Sequence, residues 1–252
     1  MIELHNQVAL ITGGSRGIGA AAARYLGKAG ARVVITYRTN KRAAESVVQN
    51  LRNSGITIHA LQGSIENESD CRRICRETMK LFGRIDILVN SAGIWEYGEI
   101  GKMSVREWQK TIDINLTGTF LLCNAVVPIM KKQKYGRIIN VSSTAGQRGE
   151  AFHSHYAASK GGVIALTKSL APELIPHGIW VNCVAPGWVN TDMTADELKK
   201  PSAKKEILRT IPRKKIGTAE EIAGPILFLA SDLANNVVGE ILNVNGGSVL
   251  CG

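Results

Sequence analysis

The stretch Thr12-Gly13-Gly14-Ser15-Arg16-Gly17-Ile18-Gly19 joins a short apolar run at 8–11 to a segment of helical character at 18–28. Glycines at a strand-to-helix turn let the backbone bend sharply and approach a ligand. The helix N-terminus then offers amide donors and partial positive charge, a combination suited to a pyrophosphate. The spacing is not GxGxxG. It also satisfies G-x-S-x-G, which would make Ser15 a hydrolase nucleophile on a strand-to-helix elbow. That fold draws an oxyanion-hole loop from an earlier strand, and here only one short strand precedes Ser15, with no HGGG-like segment upstream. The pyrophosphate reading is preferred.

Outward from this turn the chain alternates two textures. Apolar runs at 33–35, 87–89, 138–141 and 181–184 are continuous rather than alternating, as in strands buried on both faces. Between them lie helical segments at 41–53, 68–81, 104–130 (one long helix or two abutting), 156–170 and 220–230. Strand alternating with helix predicts an α/β fold with helices on both faces of a parallel sheet. Alternation alone also allows a closed barrel, and the glycine-rich first turn decides for a Rossmann-like doubly wound sheet of about seven strands. With no linker or repeat, 1–252 is expected to be one catalytic domain, with a substrate lid at about 188–216.

The composition is that of a globular protein, 44% apolar and 21% charged, which excludes wholesale disorder. The longest nearly apolar stretch, 120–130, is broken by Asn124 and Pro128 and falls short of the roughly 20 residues that span a bilayer. Nothing near Met1 resembles an export signal, so a cytoplasmic, non-membrane protein is expected. The five cysteines form no CxxC pair and have no histidine at zinc-ligand spacing, so they read as reduced thiols and no metal site is expected. The net charge of +10 would suit nucleic acid, but +7 of it lies in 199–215, eight basic residues against Glu206. That segment has no stacking aromatic, and a solvated helix face is the preferred reading.

The second strand ends in Tyr37-Arg38. In a dinucleotide fold an acid about 20 residues beyond the glycines holds the ribose 2′-hydroxyl, whereas a basic residue favours a 2′-phosphate. Arg38, with Arg16 approaching from the glycine turn, therefore favours NADP(H) over NAD(H). Tyr156 and Lys160 stand at i and i+4 on one helix face. A phenol with pKa about 10 is a poor proton donor or acceptor near neutrality, and lowering it by ~3 units takes roughly 4 kcal/mol. One charge at about 4 Å supplies on the order of 4 kcal/mol at an effective dielectric of about 20, so the pair works only in a partly closed site. Ser142-Ser143 follow a strand at the carboxyl edge of the sheet, where open α/β folds bind ligands.

Taken together, the TGGSRGIG turn, Asn90-Ser91-Ala92-Gly93, Asn115, Ser143 thirteen residues before Tyr156, the YxxxK pair and Pro186-Gly187 resemble the short-chain dehydrogenase/reductase family over roughly residues 6–250. The resemblance implies an oxidoreductase in which Tyr156 is the general acid or base and Ser143 bonds the carbonyl oxygen. Lys160 would tune Tyr156 and hold the nicotinamide ribose, and Asn115 would hold a water linking Lys160 to solvent. It implies cofactor contacts at Gly13, Ser15, Arg16, Gly17, Ile18, Gly19, Tyr37 and Arg38. Further contacts would come from Ser64, Ile65, Asn90, Ala92, Gly93, Tyr156, Lys160, Pro186, Gly187, Val189 and Thr191. Ser64, Ser91 and Asn245 depart from the residues the family commonly carries there, Trp180 stands where an arginine is frequent, and Pro172 is expected to interrupt or restart the helix after Lys160.

Within the family the chain resembles the 3-oxoacyl-[acyl-carrier-protein] reductases. That implies NADPH, a carbonyl or acyl-thioester substrate presented by an acyl carrier protein, and a homotetramer. His177, where those reductases often carry an arginine, weakens the carrier contact. The alternatives are an NADP(H)-dependent reductase of a free ketone, sugar or other small alcohol, and a nucleotide-sensing protein without turnover.

Overall fold

The computed structural model describes residues 2–250. The opening run forms β1 (Val8–Ile11), and the glycine turn leads into α1 (Gly17–Lys28). There follow β2 (Arg32–Tyr37), α2 (Lys41–Asn53), β3 (Ile58–Gln62), α3 (Glu68–Phe82) and β4 (Ile87–Asn90). Next come α4 (Val105–Ile112), a π-helical turn (Asp113–Thr117), α5 (Gly118–Gln133), β5 (Gly136–Val141), α6 (Thr144–Arg148) and α7 (Ser154–Leu174). The chain ends with β6 (Ile179–Pro186), α8 (Ala195–Leu198), α9 (Pro201–Thr210), α10 (Ala219–Leu229) and β7 (Ile241–Val244).

The seven strands form one parallel sheet in the order β3-β2-β1-β4-β5-β6-β7. Side chains alternate across it. Ile11, Val33 and Ile35 meet Leu26 of α1, Val48 of α2 and Ile226 of α10 on one face. Their neighbours Leu10, Val34 and Leu88 meet Ile74 of α3, Leu122 and Val126 of α5 and Leu174 of α7 on the other. The strand order reverses between β1 and β4, so the loops after these two strands diverge at the carboxyl edge and leave a crevice. Thr12 bridges its base, its Oγ1 accepting from the amides of Ser91 and Ala92, each at 3.1 Å.

The sequence reading missed two strands. β3 (Ile58–Gln62) contains His59 and Gln62 and does not read as an apolar run, whereas β7 (Ile241–Val244) has the same apolar-apolar-Asn-apolar pattern as 138–141 and carried a signal that was passed over. Pro172 does not interrupt its helix: α7 runs on to Leu174 with Pro172 inside it. The run 105–133 is continuous, and by length and composition it could cross a bilayer. Much of its apolar character is explained by Leu122, Cys123, Val126 and Met130, which pack onto the sheet. Trp180 is also accounted for, because its indole donates to Asn235 O at 2.9 Å and carries the buried Arg137 guanidinium over its ring.

Candidate active site

The crevice holds a groove of about 400 Å³. The turn after β1 forms its floor with Gly13, Ser15, Arg16, Gly17, Ile18 and Gly19. Gly13 sits at φ +65°, and a Cβ there would lie 2.8 Å from Ala92 Cα, so the turn and the loop after β4 close together only around a glycine. Asn40, Asn67, Ser104 and Thr218 cap α2, α3, α4 and α10 through their side chains, whereas α1 has no side-chain cap and no acid in its first turn. Its first amides are left to an anion in the groove. Tyr37, Arg38 and Ile65 border one end, and Ala92, Gly93 and Thr191 the other. Arg38 and Arg16 carry carboxylate partners there, Glu66 at 3.3 Å and Asp192 at 3.4 Å; both are exposed pairs that a phosphate can replace. These residues fit a dinucleotide.

The groove shares Ile18, Gly93 and Thr191 with a second, smaller cavity of about 110 Å³. Ser143, Tyr156 and Lys160 line it, with Pro186, Gly187 and Val189 from the end of β6 and the loop beyond. Tyr156 and Lys160 are both buried, on successive turns of α7, and the ammonium lies 5.8 Å from the phenol ring centre. Lys160 Nζ donates to Val141 O at 2.8 Å. Ser143 caps α6, its Oγ accepting from Ala145 N at 3.1 Å, and hydrogen-bonds Tyr156. Its neighbour Ser142 is engaged elsewhere, donating to Lys160 O at 2.8 Å.

Burial governs the ionisation of this pair. It pushes the Tyr156 phenol up to about 12 against the opposing Ser143 hydrogen bond, and brings the Lys160 ammonium down to about 8. Desolvation is the largest cause for both groups, and what opposes it at the phenol is Ser143 rather than the Lys160 charge anticipated from the i, i+4 spacing. At neutral pH the phenol keeps its proton, which is the form a general acid needs.

Asn115 lies in the π-helical turn, fully buried. Its Oδ1 accepts from Ile94 N at 2.8 Å, and its Nδ2 donates to Ile94 O at 3.0 Å and Ser159 Oγ at 3.1 Å. A Cβ on Gly93 would lie 3.1 Å from Asn115 Oδ1 and 3.5 Å from Lys160 Nζ, so the space between amide and ammonium depends on that glycine. Two expected cofactor residues stand apart from the groove lining. The Asn90 amide turns into the sheet and donates to Asn140 Oδ1 at 2.9 Å, and the Ser64 amide donates to Asp70 Oδ2 at 2.9 Å. Conversely, Trp95, Arg148, Glu150, Trp188 and Met193 line the smaller cavity, and motif spacing did not single them out. Their signal was position: Trp95 lies two residues after Gly93, Trp188 follows Gly187, and Arg148 and Glu150 lie between Ser143 and Tyr156.

Comparison with known proteins agrees with this geometry. The chain belongs to the short-chain dehydrogenase/reductase family, and is an oxidoreductase of that class: a family profile described as enoyl-(acyl carrier protein) reductase matches residues 13–248. A 3-oxoacyl-[acyl-carrier-protein] reductase of Synechocystis sp. is 43% identical over 99% of this chain and 100% of its own. The crystal structure of the protein gox2181 superposes with a TM-score of 0.95 at 36% identity, covering 98% of this chain and 96% of that one. A protein of Beutenbergia cavernae provisionally assigned as an NAD(P)-dependent gluconate 5-dehydrogenase, with NADP bound at low occupancy, gives 0.93 at 32% identity and 98% coverage of both.

Proposed function

We propose that this protein is an NADP(H)-dependent 3-oxoacyl-[acyl-carrier-protein] reductase. The observation that carries the catalytic part is the meeting of Ser143, Tyr156 and Lys160 in a cavity that opens onto the end of the nucleotide groove. A bound nicotinamide supplies hydride to the carbonyl carbon. Tyr156 gives its proton to the carbonyl oxygen, and Ser143 donates a hydrogen bond where negative charge develops. The Lys160 ammonium stabilises the phenolate left behind, and Asn115 holds the water through which the proton is replaced. The proton donor is already in its neutral form, so the charge of Lys160 matters after transfer rather than before it.

NADPH preference rests on Arg38 and Arg16 bordering the groove, with no acid at the end of β2. The acyl substrate is inferred from the Synechocystis relative. In this reading 1–252 is one catalytic domain, 188–216 covers the substrate, and the protein is cytoplasmic, in keeping with the free, buried Cys71, Cys75, Cys123 and Cys183. The half-exposed Phe120 on α5 lies on a face that further copies cover in a homotetramer. The deciding experiment follows nicotinamide absorbance with NADPH and NADH in parallel, against acetoacetyl thioester, simple ketones and keto-sugars. Fastest turnover of the thioester with NADPH is expected. Faster reduction of a free ketone or sugar would replace the acyl assignment, and no consumption of either cofactor would favour a nucleotide-sensing protein.

A further inference from the structure

The catalytic cavity is walled differently from the groove beside it. Trp95 and Trp188 meet edge to face with ring centres 5.6 Å apart at 85°, one projecting from the loop after β4 and the other from the loop after β6. Trp95 is fixed from its other side, stacked on His153 at 4.4 Å and 6°. His153 is itself tied to the β4–α4 loop by a bridge to Gly98. A ring held between two others is a wall rather than a movable flap.

Where the indoles do not close the cavity, charge does. Glu150 lines it with a side chain only 19% exposed, and the exposed Arg148, two residues earlier, lines it too. An alkyl chain passing here would strip water from the largely shielded Glu150 carboxyl without offering a hydrogen bond in return, which is unfavourable. The space between these walls, open at its mouth, is about 110 Å³. For scale, a dry cavity of about 150 Å³ holds one benzene molecule. Part of this volume, next to Ile18, Gly93 and Thr191, adjoins the nucleotide groove and is shared with whatever fills its end. The thioester and the arm beyond it need the open mouth, so the acyl tail must fit in what remains.

We infer that Trp95 and Trp188, with Arg148 and Glu150 beside them, restrict this enzyme to short 3-oxoacyl chains. The inference deepens the acyl reading above and rests on it. Each methylene that a hydrophobic pocket cannot accommodate changes discrimination by roughly tenfold or more. Rates therefore fall with chain length where an open apolar channel would leave them level or rising.

The test measures kcat/KM with saturating NADPH on N-acetylcysteamine thioesters of 3-oxoacyl chains of about four, eight and twelve carbons, where the four-carbon substrate is expected to exceed the longest by at least about tenfold. In Trp188→Ala the long-to-short ratio is expected to rise at least about tenfold, mainly through KM for the long substrate, whatever the absolute rate. Trp95→Leu supplies the same ratio from the opposite wall should the first variant fold poorly, and the wild-type series needs no variant. Equal or faster reduction of the longest chain by the wild type would overturn the inference while leaving the acyl reading intact. A ratio unmoved in both folded variants would remove the indoles as its cause. Failure to reduce any thioester, with free keto-sugars turned over, would overturn both readings.

Discussion

The nucleotide groove and the catalytic cavity adjoin, yet they are built from different parts of the chain. The groove is largely backbone: a glycine turn that closes against Ala92, and the uncapped amides of α1. The cavity is largely side chain, with a phenol, an ammonium, a hydroxyl, two indoles and two charged groups lining a space of about 110 Å³. A backbone-built site tolerates any residue that leaves the main chain in place and is disabled by a Cβ. A side-chain-built site responds to the loss of one atom.

The largest expected effect breaks the cavity alone. Tyr156→Phe removes one hydroxyl and should lower kcat by roughly 10²–10⁴-fold. NADPH affinity, followed by fluorescence titration, should stay within a few-fold, and a comparable loss of affinity would mean that the two regions are not separable. Gly13→Val attacks the other side. A side chain at φ +65° facing Ala92 Cα at 2.8 Å should displace the turn. Strain of about 1–3 kcal/mol corresponds to a roughly 5- to 150-fold weaker nucleotide dissociation constant. Unchanged binding in the folded variant would refute the role given to that close approach.

Arg38→Asp sharpens the comparison within the groove. Loss of a charge-assisted contact to a 2′-phosphate, worth about 1.5–3 kcal/mol, should lower kcat/KM for NADPH by roughly 10- to 150-fold. The loss with NADH should be smaller, and equal losses would remove the phosphate contact. The pH profile reports on the cavity again. The Lys160 ammonium, brought down by burial to about 8, is lost as pH rises through that value, while the phenol, raised to about 12, remains protonated. Carbonyl reduction should therefore be level below about pH 8 and fall up to tenfold per unit above it in kcat/KM, a limb absent in Lys160→Met. The smallest effect is a control on the capped helices: Thr218→Ala should cost about 1 kcal/mol in urea unfolding and leave nucleotide affinity unchanged.

The same contrast explains what could be read from the residues alone. The turn at 12–19, the four apolar runs after it and the pairing of Tyr156 with Lys160 carry local signals, because backbone geometry and helical period are short-range properties. β7 carries the same local pattern as 138–141, whereas β3 escaped because His59 and Gln62 break the apolar run, and its place in the sheet is a tertiary matter. The walls of the cavity escaped for a related reason. Trp95 and Trp188 are far apart in the chain and meet only because β4 and β6 end at the same edge of the sheet. The part burial plays in the ionisation of Tyr156 and Lys160 was equally illegible, since an i, i+4 spacing says nothing of how much water is excluded around the pair.

The π-helical turn between α4 and α5 gives the long run 105–133 a fixed phase error halfway along its length. Each residue added to or removed from a helix rotates everything beyond it by about 100°. Deleting one residue from this turn to restore a regular helix would therefore swing Leu122 and Val126 off the sheet if the Asn115 amide stayed on Ile94, or pull the amide away if they held. Chain length in this segment is therefore as constrained as residue identity is at Tyr156, and natural variants should tolerate substitution there far better than insertion or deletion.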